Sequence, residues 1–244
     1  MKNLTTKIAI MLFGLSIILS SCDDNNDINP SSNITRQDRT IIDYSGIEIS
    51  TAFTVDITFS STEDKIEIEA NENLHALIDV VKSGNNLVIK LKDNTNIHGN
   101  TTLKAHIITS NTLEEIFVSG ASLLTLNNRL DATNLGISIS GASNFNGLLS
   151  ATSIILNADG ASNIELAGSA EQLSINGAGA STIGSYQMNV YDVTCNLSGA
   201  CQTSLTVIGS IDLTASEASI FMYKGGAQVT NLNLSGASQI IKVN

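Results

Sequence analysis

The sequence predicts an all-β fold: a parallel β-solenoid, or β-helix, with rungs of about 19 residues, entered through an irregular N-terminal β segment. Three observations predict it. A corner of small residues recurs seven times, as Ser119-Gly120-Ala121-Ser122, Ser140-Gly141-Ala142-Ser143, Asp159-Gly160-Ala161-Ser162, Ala178-Gly179-Ala180-Ser181, Ser198-Gly199-Ala200-Cys201, Ser216-Glu217-Ala218-Ser219 and Ser235-Gly236-Ala237-Ser238. From one glycine position to the next the steps are 21, 19, 19, 20, 18 and 19 residues. Before each corner, apolar residues alternate with polar ones, as in Leu135, Ile137, Ile139 and Ile154, Leu156, Ala158, the period of a strand with one buried face.

The chain opens with Lys2 and Lys7, then an apolar stretch from Ile8 to Leu19, then Ser20 and Ser21 before Cys22. The apolar stretch is shorter than the roughly 20 residues a membrane span needs, so residues 1–21 read as a signal peptide. Leu19-Ser20-Ser21-Cys22 resembles the lipobox at which a lipoprotein is cleaved and diacylated, which makes Cys22 the expected lipidation (palmitate) site. Two or three acyl chains, at ~0.8 kcal/mol per buried methylene, suffice for a membrane anchor without a spanning helix.

Residues 22–39 read as a polar tether. It begins with Asp23-Asp24-Asn25-Asn26-Asp27 and holds the only proline, Pro30. An acidic run directly behind a lipidated cysteine resembles the surface-export signal of Bacteroidetes lipoproteins, and a plain solvated linker has the same composition. The location that follows is the outer membrane or cell surface.

Residues 40–112 lack the repeat but alternate: Ile47, Ile49; Val55, Ile57, Phe59; Ile66, Ile68; Leu87, Ile89, Leu91; Ala105, Ile107. Turn signals at Ser45-Gly46, Ser83-Gly84-Asn85-Asn86 and Gly99-Asn100 separate these strands. They fit either irregular first rungs or a separate layer, and in both cases a cap on the open end of a solenoid.

Residues 113–244 are the repeat rungs. Four residues beyond the glycine position an apolar residue returns at Leu124, Phe145, Ile164, Ile183, Phe221 and Ile240, with Thr203 the exception. A unit this short cannot close its own core and must stack on its neighbours, ~4.8 Å apart. The glycine suits a corner with positive φ, the alanine a tight interior, and the serines either an external ladder or the corner itself. Glu217 breaks the glycine pattern.

The stretches Phe53-Thr54-Val55-Asp56-Ile57, Glu67-Ile68-Glu69-Ala70-Asn71-Glu72-Asn73-Leu74 and Asn86-Leu87-Val88-Ile89, followed by the Ser-Gly-Ala-Ser rungs, resemble in kind and order the "putative auto-transporter adhesin, head GIN domain" family, common among Bacteroidetes lipoproteins. The resemblance covers about residues 40–244. It implies a right-handed parallel β-helix with no established enzymatic activity, and its adhesin label is an analogy at the level of fold.

Composition narrows the function further. Without residues 1–21 the chain has ten basic and 23 acidic residues, a formal net charge of −13, so nucleic acid is not expected as a partner. No catalytic, cofactor-binding or metal-binding residue is expected. Asp159 and Glu217, the acids nearest the corner, lie three rungs apart, roughly 14 Å, too far for a glycosidase pair. Arg129, Lys224 and Lys242 fall on different rungs, leaving a composite site near Lys90 or Lys104 as the one route to elimination chemistry. His75, His98 and His106 lack metal-ligand spacing. Cys195 and Cys201 read as buried thiols, able to bond across the corner only if their Cα atoms come within ~7 Å. The expected function is a non-catalytic, membrane-anchored binding surface for a glycan or an envelope protein. The alternatives are an envelope enzyme acting on polysaccharide and a purely structural protein.

Overall fold

The stacking register reproduces the spacing of the sequence repeat. Ile116 pairs with Ile137, Ile137 with Leu156, Leu156 with Ile175, Ile175 with Cys195, Cys195 with Leu213 and Leu213 with Leu232. The residue steps are therefore those between the corners. The computed structural model describes residues 27–244, and the expected signal peptide and Cys22 lie outside them. The described chain is a parallel β-solenoid of about seven turns with rungs about 19 residues apart.

Each coil has three sides. The first precedes the glycine corner and the second follows it; the third is short, formed by residues 130–132, 149–151, 168–170 and 188–190 in register. The strands Asn144–Ala158 and Asn163–Gly177 each run without a break through second, third and first side. Only the glycine corner interrupts them. Gly160, Gly179 and Gly199 have φ of 75, 73 and 81°. A Cβ at Gly179 would lie 2.4 Å from the Gly160 carbonyl oxygen, so these corners stack too closely for a side chain. The following alanine N–H donates to the previous corner, as from Ala180 to Gly160 O at 2.7 Å. At Glu217 the corner keeps its shape with φ 63°.

The expected place of the alanine needs correction. Ala121, Ala142, Ala161, Ala180 and Ala200 are exposed, and the next residue, Ser122, Ser143, Ser162, Ser181, Cys201 or Ser219, is the one that enters the interior. There Ser162 Oγ donates to Asp159 O at 2.7 Å and Ser181 Oγ to Ala178 O at 3.1 Å, whereas Ser122 Oγ has no partner among the described residues. The core is otherwise aliphatic columns such as Leu135, Ile154, Leu173, Val193 and Ile211, each fully packed side chain contributing about 1.5–3 kcal/mol.

The N-terminal part joins the same sheet. Gly46–Ile49 and Thr54–Phe59 form a coil that pairs in parallel with Glu115–Val118 and Leu123–Leu126. Its corner uses Thr51 and Ala52 at φ 63 and 62° where later coils have glycine. On its other side lie Asn86–Leu91 and Leu103–Thr109, again parallel. The stack then ends in antiparallel strands: Ile78–Ser83 against Asn86–Leu91, and Lys65–Asn71 against Leu103–Thr109, with Ile34–Arg39 outermost. Residues 34–39, expected in the tether, are thus an edge strand. It is scantly buried and carries ion pairs, notably Arg36 to Glu69 at 2.6 Å.

Candidate functional site

A groove of about 1020 Å³ runs along the third side and into the start of the first. In successive coils the third side carries Asp131-Ala132, Ser150-Ala151, Ser169-Ala170 and Asn189-Val190, which line it. Thr133, Thr152, Glu171 and Tyr191 stand at the turn into the first side, with Gln172 and Asp192 just beyond.

The coil containing Tyr191 is locally irregular. Val190 pairs with Val207 and Asp192 with Ser210, so Ile208 and Gly209 together face the single residue Tyr191, a β-bulge. Bulges redirect side chains, and here the Tyr191 ring lies against Gly209 yet is 58% exposed, beside Ile208 at 55%. Asp192 Oδ1 accepts hydrogen bonds from Ser210 N at 2.9 Å and Ser210 Oγ at 2.5 Å, which fixes its carboxylate at the groove edge. Asn189 Nδ2 donates to Gly168 O at 3.3 Å. Glu171 is exposed and has no ion pair among the described residues. The lining contains Asp131, Glu171 and Asp192 but no lysine or arginine.

A second regular surface lies on the first side. Asn157, Asn176 and Asn196 stack as an amide ladder, Asn176 Nδ2 donating to Asn157 Oδ1 at 3.0 Å and Asn196 Nδ2 to Asn176 Oδ1 at 3.3 Å. The ladder uses its own donors and acceptors internally, which leaves fewer for a ligand than the groove offers.

The residues singled out in the sequence are dispersed. Asp159 and Glu217 stand three coils apart at the corner, and Asp159 Oδ1 accepts from Gly160 N at 2.7 Å. Lys90 pairs with Asp93 and Lys104 with Glu69, both at 3.0 Å. Arg129 pairs with Asp131 at 2.8 Å, while Lys224 and Lys242 lie over the rings of Tyr186 and Tyr223. His106 Nδ1 meets Asp56 Oδ2 at 2.5 Å, His75 Nε2 meets Thr35 O at 3.2 Å, and His98 Nε2 meets Asn96. No group of three or more His, Cys, Asp or Glu side chains suited to a metal ion occurs among the described residues. Cys195 and Cys201 are buried free thiols, and burial raises the pKa of both. The sequence analysis missed Glu171, Tyr191 and Asp192, because their side chains share no residue type with the rungs on either side.

Comparison with solved structures gives the fold. The chain is similar to a putative adhesin from Bacteroides fragilis NCTC 9343 with a TM-score of 0.82 and 21% identity, over 88% of this chain and 100% of that one. It is also similar to a putative lipid binding protein from Parabacteroides distasonis ATCC 8503, with a TM-score of 0.69 and 18% identity over 89% and 100% of the two chains. A putative adhesin from Parabacteroides merdae ATCC 43184 gives 0.66 and 18% over 89% and 99%. No curated protein is significantly similar in sequence. Residues 43–227 match the model of the family described as "Putative auto-transporter adhesin, head GIN domain", and the chain belongs to that family.

Proposed function

We propose that this protein is a non-catalytic lipoprotein, anchored through Cys22 in the outer membrane and displaying its solenoid at the cell surface as an adhesive, glycan-binding body. The observation that carries the reading is the open groove across four coils, with hydroxyl, amide and carboxylate groups around one exposed aromatic ring. Such a mixture suits a ligand that is itself half apolar and half hydroxylated. The family's adhesin label and the lipobox-like Leu19-Ser20-Ser21-Cys22 agree with display at the envelope.

One observation favours a second reading, an enzyme acting on polysaccharide. Glu171 and Asp192 line the groove on adjacent coils, Asp192 pairing with Gln172 next to Glu171, so two carboxylates, the residue types of a glycosidase pair, share one wall. Against it, the Asp192 carboxylate is committed to Ser210.

Two experiments test these readings. Cells given radioactive palmitate and then treated intact with protease should show a labelled, protease-sensitive protein. Label retained by Cys22→Ala removes the anchor, and protection of the wild type removes surface display. A glycan array, with turnover followed on every hit, should give binding without cleavage. Cleavage lost in Glu171→Gln establishes the enzyme instead.

A further inference from the structure

We infer that the groove is built for a polysaccharide chain free of anionic groups, lying along the stacking axis with one sugar ring seated on Tyr191. This rests on the glycan-binding reading above and adds to it the site, the orientation and the class of sugar.

The seat is the strongest element. A regular coil would bury or omit a large aromatic at this position, as the neighbouring coils do with Thr133, Thr152 and Glu171. Here the chain inserts an extra residue opposite Tyr191 and places a glycine beside the ring, where a Cβ would lie 2.8 Å from Cε1. The Cδ1–Cε1 side of the ring thus lies close to the main chain, while the residue as a whole is 58% exposed. A rigid aromatic plane of this kind matches the C–H face of a pyranose, whose hydroxyls project around its rim.

The rim is met by acceptors. Asp192, held by Ser210, and Glu171 flank the ring, and carboxylates accept strongly from sugar hydroxyls or from a protonated amino group. The polar positions Ser150, Ser169 and Asn189 repeat once per coil along the third side, ~4.8 Å apart, so a linear polymer of repeating hydroxyls meets similar partners at successive steps. Arg129 neutralises Asp131, and the remaining carboxylates of the lining, Glu171 and Asp192, flank the Tyr191 seat with no lysine or arginine among the lining residues, so this part of the groove repels uronate, sulfate and phosphate groups. The lining therefore selects neutral or amino-bearing glycans.

The test uses the full chain in detergent micelles at 0.15 M salt, with surface plasmon resonance on immobilised β-glucan, xylan, chitosan and polygalacturonate oligosaccharides. Retention on one or more of the first three and none on polygalacturonate is expected. Tyr191→Ala should weaken binding roughly tenfold, the scale of one lost aromatic contact, with an unchanged circular dichroism spectrum. Glu171→Gln should reduce any preference for chitosan over the neutral chains, and Asn176→Ala on the amide ladder should leave binding unaltered. Binding indifferent to Tyr191→Ala, or equally strong to polygalacturonate, overturns this inference and leaves the adhesive reading standing. Absence of binding to every glycan overturns both.

Discussion

The ring of Tyr191 occupies the space that a side chain at Gly209 would need, a Cβ there lying 2.8 Å from Cε1 and 2.9 Å from Cδ1. Position 209 therefore controls the ring without touching a ligand. Gly209→Ala should tilt the ring off its seat, cost about 1–3 kcal/mol through overpacking, and weaken glycan binding several-fold. Urea melts and binding isotherms on the same preparation separate the two effects. Unchanged binding would mean that the seat is incidental.

The corner glycines make a graded prediction. Gly179 has φ 73° and its Cβ would meet Gly160 O at 2.4 Å, whereas Gly226 has open space around it and no positive φ. Gly179→Ala should lower stability by about 2 kcal/mol or more, from left-handed strain and the clash together, and Gly226→Ala should change it by less than about 1 kcal/mol. Equal urea midpoints for the two variants would contradict the stacking argument.

Thr203 is fully buried in a column between Ile183 and Phe221, and its hydroxyl has no nitrogen or oxygen partner among the described residues. It faces the buried Cys195 thiol, a weak partner. Thr203→Val should raise stability by about 1 kcal/mol, the desolvation cost of an unsatisfied hydroxyl, read as a higher midpoint at constant m-value.

Acid should loosen the cap before the coils. Lys104 and then Arg36 hold the Glu69 carboxyl below its usual 4.5, and Lys65 does the same for Glu67. Lowered folded values mean that these pairs stabilise above about pH 4.5 and lose that contribution as pH falls through the folded pKa values. Brief pepsin digestion at pH 3 should cut within residues 34–112 first and spare residues 113–244. Simultaneous cutting of both parts would refute it.

The coils were legible because in a solenoid the sequence period is the stacking register, so the steps between Gly120 and Gly236 give the strand pairing directly. The coil 46–59 was legible only as one of two alternatives, irregular first rungs or a separate layer. Thr51 and Ala52 hold its corner without glycine, and its second partner, residues 86–109, arrives after an intervening hairpin. The groove was hidden. Repeats advertise positions that keep one residue type, whereas Tyr191 is informative because it departs from its column.

Enclosing Gly46–Phe59 between residues 86–109 and residues 115–126 divides the folding problem unevenly. Assembling that region requires partners as distant as Thr58 and Asn127, 69 residues apart, whereas each later coil adds to its predecessor over a loop of about 20 residues. The barrier then sits in the first half of the domain, and a nascent chain that has crossed it lengthens by zippering onto a finished template. Lineages can gain or lose distal coils without retuning the folding nucleus, which makes the length of such a solenoid an adjustable quantity.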